Sequence, residues 1–157
     1  MSYHVCLVCL GNICRSPMAE VVVRRTLADH GLDGLVTVDS AGTGGWHEGA
    51  PMDDRAAAVL SGAGYDGSAH RARRFLREWF GHADLVLAMD AENLRALRAL
   101  APPGADVRLF RSFDPAAPEN ADVPDPYYGG PEGFDEVLRM VQAAADGLAK
   151  HLEARVR

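Results

Sequence analysis

Two kinds of hydrophobic pattern alternate along the chain. Four apolar runs have the length of buried strands, and they cover residues 4–9, 35–43, 83–90 and 107–113. Between and after these runs, apolar residues recur at spacings of three and four, which predicts helices at residues 16–31, 54–64, 71–80, 91–101 and 134–156. Strands that alternate with helices predict an α/β fold in which helices cover both faces of a parallel sheet.

The ends of the elements carry their own signals. Ser16 and Pro17 predict the start of the first helix, because serine is a favoured N-cap and proline fits the first turn, and Gly31 predicts its end. Residues 114–133 contain five prolines and little periodicity, which is typical of a functional or mobile loop. No repeat or linker divides the chain, so residues 1–157 are predicted to form a single domain.

Composition and charge narrow the classes of function. The chain has 157 residues and a net charge of −6, and its one basic cluster, at residues 70–77, is interpreted as a solvated face, so no nucleic-acid partner is predicted. No apolar run reaches the about 18 residues of a membrane span, and the first residues lack a signal-peptide pattern. We therefore expect no membrane partner and a cytoplasmic location, with export by a route that needs no signal peptide left open.

All three cysteines lie within the first 14 residues, which is not the pattern of a secreted disulfide framework. Cys6 and Cys9 have the spacing of a zinc knuckle. However, residues three apart in a strand point to opposite faces, and no second ligand pair follows. The sequence therefore predicts no metal ligands and no cofactor.

The first loop, "CLGNICRS" at residues 9–16, carries the candidate chemistry. In a parallel sheet, the loop after the first strand is a frequent anion site. Gly11 and Asn12 tolerate left-handed backbone, so the loop can point its N–H groups at one anion in front of a helix N-terminus. Arg15 can add a bidentate clamp on two oxygens of a tetrahedral oxyanion.

The same positive environment favours the thiolate form of Cys9, which makes it a candidate nucleophile. The Ser16 hydroxyl can donate to the sulfur and steady the thiolate. The alternative interpretation is an inert, buried Cys9 next to an Arg15 in an exposed turn.

The stretch "VCLGNICRSP" at residues 8–17 resembles the signature of the low-molecular-weight protein tyrosine phosphatases. Further segments follow in the family's order, namely "DSAGT", "PMDDR", "AHRAR", "MDAENL" and "DPYYG". The resemblance implies a three-layer α/β sandwich with a four-stranded parallel sheet. It also implies metal-independent hydrolysis of phosphotyrosine in proteins and peptides, and of small aryl phosphates.

The resemblance assigns catalytic roles to three residues. Cys9 would form a phosphocysteine, Arg15 would bind phosphate oxygens, and Asp125 would act as general acid and then as general base. The phosphate-binding loop would consist of Leu10, Gly11, Asn12, Ile13, Cys14 and Arg15. Without the resemblance, Asp125 and Pro126 are typical of a turn.

The resemblance also assigns supporting roles. Residues that hold the loop would be Asn12, Ser16, Ser40 and His70, and the aromatic walls of the cleft would be Trp46, Tyr127 and Tyr128. His70 can equally be an ordinary satisfied histidine, and the two tyrosines can themselves be targets of phosphorylation. Asp53 and Arg55 match a pair that is read as structural.

Cys14 is either inert core or a redox guard. In the family, a cysteine at this position can trap the oxidised nucleophile as a Cys9–Cys14 disulfide, which implies redox sensitivity.

Three rival functions are an arsenate reductase, a sugar phosphotransferase domain and a non-catalytic phosphotyrosine-binding module. The first rival is disfavoured because no cysteine follows Cys14. The expected assembly is a monomer or weak dimer.

Overall fold

The four apolar runs form a parallel sheet with the strand order β2-β1-β3-β4. The structure is a computed structural model that describes residues 2–157. The strands are β1 Tyr3–Cys9, β2 Val36–Gly42, β3 Leu85–Ala88 and β4 Val107–Leu109. The helices are α1 Arg15–Asp29, α2 Asp54–Gly62, α3 Ala91–Leu100 and α4 Glu132–Val156, with short 3₁₀ turns at Arg77–Gly81 and Phe110–Phe113.

The sheet is the middle one of three layers. Helices α1, α2 and α4 pack on one face, and α3 with the 3₁₀ turn Arg77–Gly81 packs on the other. The two faces alternate along β1, where Cys6 packs on the α3 face and Cys9 on the α1 face. The predicted three-layer α/β sandwich around a four-stranded parallel sheet is confirmed.

Helix α1 starts differently from the sequence prediction. It begins at Arg15, and its N-cap is Cys14, which makes no side-chain capping bond. The prediction of Ser16 as N-cap is wrong, because its hydroxyl is engaged by the buried groups around Cys9. The predicted end is confirmed, since Gly31 adopts a left-handed φ of 72° and donates its N–H to the carbonyl of Ala28.

The predicted helix at residues 71–80 is also wrong. Only Arg77–Gly81 forms a 3₁₀ turn, and the preceding segment is extended beside the end of β2. There Gly42 donates to the carbonyl of Arg73 and accepts from the N–H of Phe75, at 2.8 and 2.7 Å. These tertiary hydrogen bonds override the helical spacing, although the arginines of the cluster are exposed as predicted.

Within residues 2–157, no helix combines the length and the apolar composition that a membrane crossing requires.

Candidate active site

The loop between β1 and α1 lies at the carboxyl edge of the sheet, and its carbonyl groups are held by neighbouring segments. Four of them accept hydrogen bonds of 2.7–2.9 Å, those of Cys9, Leu10, Asn12 and Ile13. The donors are the N–H groups of Thr43, Gly44 and Asp53 and the ring of His70. Because these carbonyls face the flanking segments, the loop N–H groups other than that of Asn12, which donates to the Cys9 sulfur, are left for an anion.

Asn12 organises the loop from within. It is fully buried and adopts a left-handed φ of 58°, a conformation that asparagine tolerates. Its side-chain amide donates to the hydroxyls of Ser16 and Ser40 at 2.8 and 3.0 Å, and its Oδ1 accepts from the N–H of Arg73 at 2.9 Å. The Ser40 hydroxyl in turn donates to Glu20 at 2.6 Å.

His70 supports the same loop through one ring nitrogen. Its Nε2 lies 2.7 Å from the carbonyl oxygen of Asn12. Burial lowers the pKa of His70, although the bond to Asn12 opposes that shift. The neutral ring with a proton on Nε2 therefore donates this bond, so His70 is a satisfied histidine that also holds the loop.

Cys9 lies on the floor of the loop and is buried. Its Sγ is 3.0 Å from the Ser16 hydroxyl and accepts the N–H of Asn12 at 3.3 Å. From the sequence, the Ser16 hydroxyl is expected to reach the Cys9 sulfur from the N-cap position of the helix. The contact is present, but the hydroxyl reaches the sulfur from the first turn of α1.

Arg15 is buried and bound on several sides. Its guanidinium donates to Asp90 at 2.6 Å and to the carbonyl of Val123 at 3.0 Å, and lies 3.7 Å from Asp125. Burial acts to lower the pKa of Arg15, but Cys9, Asp90 and Asp125 outweigh it and raise the pKa above its ordinary value. The alternative of an Arg15 in an exposed turn is excluded.

A cleft of about 220 Å³ opens above Cys9 and Arg15. Its mouth is lined by Trp46, Tyr127 and Tyr128, and Trp46 and Tyr128 are strongly exposed. The two tyrosine rings meet edge to face, with centroids 4.9 Å apart. These apolar faces surround a space whose floor is polar and positively charged, which suits a flat ring that carries an anionic group.

Asp125 lies on the wall of the cleft and is 43% exposed. Its Oδ1 accepts the N–H of Tyr127 at 3.1 Å, which is the turn that the sequence allowed, and its Oδ2 faces Arg15. The turn therefore aims the carboxylate at the cleft. A turn at Asp125 is thus compatible with the role of general acid that the family resemblance implies.

Asp53 and Arg55 connect α2 to the loop that carries Asp125. Burial raises the pKa of Asp53, but hydrogen bonds from Arg55 and the α2 cap lower it overall. Arg55 also donates to the carbonyl of Tyr127 at 2.9 Å and lies over the ring of Phe134. The pair thus fixes one end of the Asp125 loop.

The sequence allowed left-handed backbone at both Gly11 and Asn12. Asn12 has a positive φ, whereas Gly11 does not. Its lack of a side chain matters for another reason, because a Cβ there would lie 3.0 Å from the ring of His47. His47 lines the cleft beside Trp46 and was missed by the sequence interpretation.

Asp90 and Glu20 were also missed as site residues. Asp90 follows β3 at the same edge of the sheet as Cys9, so the rule that groups at strand ends converge could have found it. Glu20 lies in the middle of a helix, where its sequence neighbours give no signal of its contact with Ser40.

Comparisons with known proteins give the family of the chain. The sequence model of the family described as low molecular weight phosphotyrosine protein phosphatase matches residues 4–157. The chain belongs to the low molecular weight phosphotyrosine protein phosphatase family. A low molecular weight protein-tyrosine-phosphatase of Streptomyces coelicolor is 58% identical to this chain, and the match covers 99% of this chain and 97% of that protein.

Two further relatives extend the comparison. The low molecular weight protein-tyrosine phosphatase A of Mycobacterium tuberculosis is 46% identical, over 98% of this chain and 93% of that protein. The crystal structure of a protein tyrosine phosphatase from Entamoeba histolytica superposes with a TM-score of 0.93 at 35% identity, covering 98% and 99% of the two chains. The predicted family and the predicted enzyme class, a protein-tyrosine-phosphatase, are thereby confirmed.

Proposed function

We propose that this low molecular weight phosphatase hydrolyses protein phosphotyrosine and small aryl phosphates through a phosphocysteine on Cys9. The observation that carries the proposal is the meeting of three groups in one cleft: the Cys9 sulfur on its floor, the buried Arg15 beside it and Asp125 on its wall. A nucleophile, a cationic clamp and a carboxylic acid are the groups that phosphoryl transfer from a phenol requires.

The phosphoryl group binds to the loop N–H groups of residues 10–15 and to Arg15. The carbonyls of the loop are held elsewhere, so its N–H groups supply fixed donors around the phosphate oxygens. Arg15 keeps its charge because Asp90 holds it, and it adds a positive group where negative charge spreads over the equatorial oxygens.

In the first step, the Cys9 thiolate attacks phosphorus. The S–P bond forms as the bond from phosphorus to the tyrosyl oxygen breaks, and Asp125 gives its proton to the leaving phenolate. The Ser16 hydroxyl, 3.0 Å from the sulfur, donates to the thiolate while it is free.

In the second step, Asp125 takes a proton from a water molecule that attacks the phosphocysteine. The P–O bond forms, the S–P bond breaks, and inorganic phosphate leaves with the Cys9 thiolate regenerated. Asp125 is thus protonated again and ready for the next substrate.

The aromatic walls determine the substrate class. Trp46, Tyr127 and Tyr128 stand above the phosphate loop, so a phenyl ring can stack between them while its phosphate reaches Cys9. The shorter side chain of phosphoserine does not span this depth, which favours phosphotyrosine.

The test measures turnover of p-nitrophenyl phosphate, phenyl phosphate and a phosphotyrosine peptide by the wild type, Cys9→Ser and Asp125→Ala. Cys9→Ser should be inactive, and Asp125→Ala should lose about 10²–10⁴-fold in kcat, with the larger loss on phenyl phosphate, whose leaving group needs the proton more. Glu119→Ala is the matched control, because Glu119 is an exposed acid in the same loop.

Several outcomes would contradict the proposal. Full activity of Cys9→Ser would exclude the phosphocysteine, and loss of wild-type activity on metal chelation would exclude the metal-independent reaction. Tight binding of the peptide without turnover would favour the binding module, and thiol-dependent reduction of arsenate without phosphatase activity would favour the reductase.

Cys14 is proposed as the redox guard of Cys9. Burial, with smaller contributions from Asp53 and Cys9, raises the pKa of Cys14 to about 12, so Cys14 stays a thiol while Cys9 reacts with substrate. Peroxide converts Cys9 to a sulfenic acid; attack by the Cys14 sulfur then forms the disulfide and releases water. If Cys14→Ser recovers from peroxide on thiol reduction as fully as the wild type, the guard role is wrong.

The cytoplasmic location, the single domain and the monomeric or weakly dimeric state stay predictions from the sequence.

A further inference from the structure

Three side chains with metal-ligating atoms meet at the end of the sheet opposite to the cleft. They are His4 at the start of β1, Asp39 in β2 and His82 after the 3₁₀ turn, and one ligand atom of each lies within 4.8 Å of the others. Cys9 lies five positions after His4 in β1, so this His–Asp–His cluster lies roughly 16 Å from the proposed nucleophile. The proposed reaction does not use it.

The sheet brings the cluster together. His4 pairs with Thr37 in the parallel register, so Asp39, two residues further along β2, lies on the same face as His4. The backbone of His4 also holds the segment that carries His82. Its N–H donates to the carboxylate of Asp84, and its carbonyl accepts the N–H of Asp84, both at 2.8 Å.

Two atoms of the cluster are buried and lack hydrogen bonds from any residue in 2–157. They are Nε2 of His4 and Oδ1 of Asp39. His4 Nε2 lies 3.0 Å from Asp39 Oδ2, but without the alignment of a hydrogen bond, while its Nδ1 is 3.0 Å from the Thr37 hydroxyl. Buried polar atoms without partners are rare in folded proteins, and a bound ion is one of the few ways to satisfy them.

We propose that the His–Asp–His cluster binds a divalent transition-metal cation of the Zn²⁺ type through His4 Nε2, the Asp39 carboxylate and the His82 imidazole. Two imidazoles and one carboxylate form a ligand set that suits such a cation, with water in the fourth position. With Nε2 on the metal, the Nδ1–H of His4 donates to the Thr37 hydroxyl 3.0 Å away, which fixes the ring in the way that outer-sphere partners fix metal-binding histidines.

The spacing fits this cation after one small movement. Zn–N bonds of about 2.0–2.1 Å place neighbouring ligands of a tetrahedral site roughly 3.3 Å apart. His4 and Asp39 already satisfy this spacing at 3.0 Å. His82 is exposed, so its side chain can close the remaining gap of up to about 1.5 Å, from 4.8 to 3.3 Å, by rotation. The ion would tie the start of β1 and β2 to the segment before β3.

The test titrates zinc chloride into the full chain by calorimetry, in a Cys9→Ser background that removes the Cys9 sulfur as a competing ligand. We expect one equivalent to bind, and His82→Gln or Asp39→Asn to weaken it by at least about tenfold. His30→Gln is the matched control, because His30 also faces a carboxylate, that of Glu153 at 3.6 Å, and lies outside the cluster. His30→Gln should leave the affinity unchanged.

Two further readouts locate the ion. Co²⁺ should give the visible d–d absorption of a four-coordinate site with nitrogen and oxygen ligands, and Zn²⁺ should shift the imidazole NMR signals of His4 and His82 together. Absence of binding, or unchanged affinity in His82→Gln, would overturn the proposal and leave His4 and Asp39 as an ordinary side-chain contact. His82 is exposed, so its substitution does not threaten the fold.

Discussion

Gly42 is the position where one added methyl group should disable the site without touching a catalytic side chain. It ends β2 directly opposite Cys9, to which it pairs in the sheet register. A Cβ at Gly42 would lie 2.7 Å from the carbonyl oxygen of Leu10 and 3.1 Å from that of Gly44. These neighbours are backbone atoms, so the clash cannot be relieved by moving a flexible side chain.

The magnitude follows from the contact. Ordinary van der Waals contact begins at 3.4 Å, so Gly42→Ala must move the Leu10 carbonyl from 2.7 to 3.4 Å, or about 0.7 Å. The peptide of Leu10 belongs to the proposed phosphate-binding loop, and displacements of about 1 Å at a reacting centre can cost 10²-fold in rate. We expect kcat/KM to fall by about 10–10² and the free energy of unfolding by about 1–3 kcal/mol.

The assay combines steady-state kinetics on p-nitrophenyl phosphate with urea unfolding of the same protein. Gly34→Ala is the matched control, because no atom lies within 4 Å of its Cβ position and its φ is not positive. Gly34→Ala should keep full activity. If Gly42→Ala keeps kcat/KM within about twofold of the wild type, the loop tolerates the displacement and the geometric reasoning is refuted.

Three further predictions concern the framework of the site. Gly147→Ala places a methyl group onto the carbonyl oxygen of Phe113 and should lower the free energy of unfolding by about 3 kcal/mol in urea, with activity per folded molecule retained. Asp53→Ala removes the side chain that caps α2, and should cost about 1–2 kcal/mol in the same experiment. Burial lowers the pKa of His70 below 6.5, so its stability contribution is complete above that pH and is lost as the pH falls through its folded pKa; His70→Gln should flatten the stability profile there.

Each framework prediction has a matched control. Gly62→Ala has open space around its Cβ and should not destabilise, Asp54→Ala removes an exposed acid next to the cap, and His30→Gln removes a histidine far from the loop. A Gly147→Ala protein as stable as Gly62→Ala would show that α4 can move away from Phe113. Equal losses of unfolding free energy in Asp53→Ala and Asp54→Ala would mean that capping of α2 is not the cause. Parallel profiles of stability against pH in His70→Gln and His30→Gln would mean that His70 is not the group responsible.

The first strand, the loop after it and the presence of a helix behind that loop could be predicted from the sequence because they are contiguous. The candidate nucleophile Cys9 and the clamp Arg15 lie six residues apart, and a parallel sheet places such a loop at its carboxyl edge whatever the rest of the chain does. The convergence of Asp125 on this loop came from the family resemblance, since the residues themselves also allowed a plain turn.

Errors arose where contacts far apart in the chain compete with local patterns. The helical spacing at residues 71–80 predicts a helix, yet the hydrogen bonds from the Gly42 N–H to the Arg73 carbonyl and from the Phe75 N–H to the Gly42 carbonyl hold the backbone extended. Ser16 has the residue type of an N-cap, yet its hydroxyl contacts the Cys9 sulfur and the Asn12 amide instead, because these buried polar groups need hydrogen-bond partners.

By itself, the sequence determined the order of the four strands and of helices α1–α4, the loop that holds the candidate nucleophile Cys9 and the class of anion proposed for that loop. Tertiary structure alone decided which carboxylate holds Arg15, which groups brace the loop and how the His–Asp–His cluster forms. The contact from Arg15 to Asp90 spans 75 positions and that from Asn12 to the N–H of Arg73 spans 61. Periodicity and spacing report neighbours within a turn or two, whereas contacts across such distances exist only once the sheet has folded and its strand ends meet.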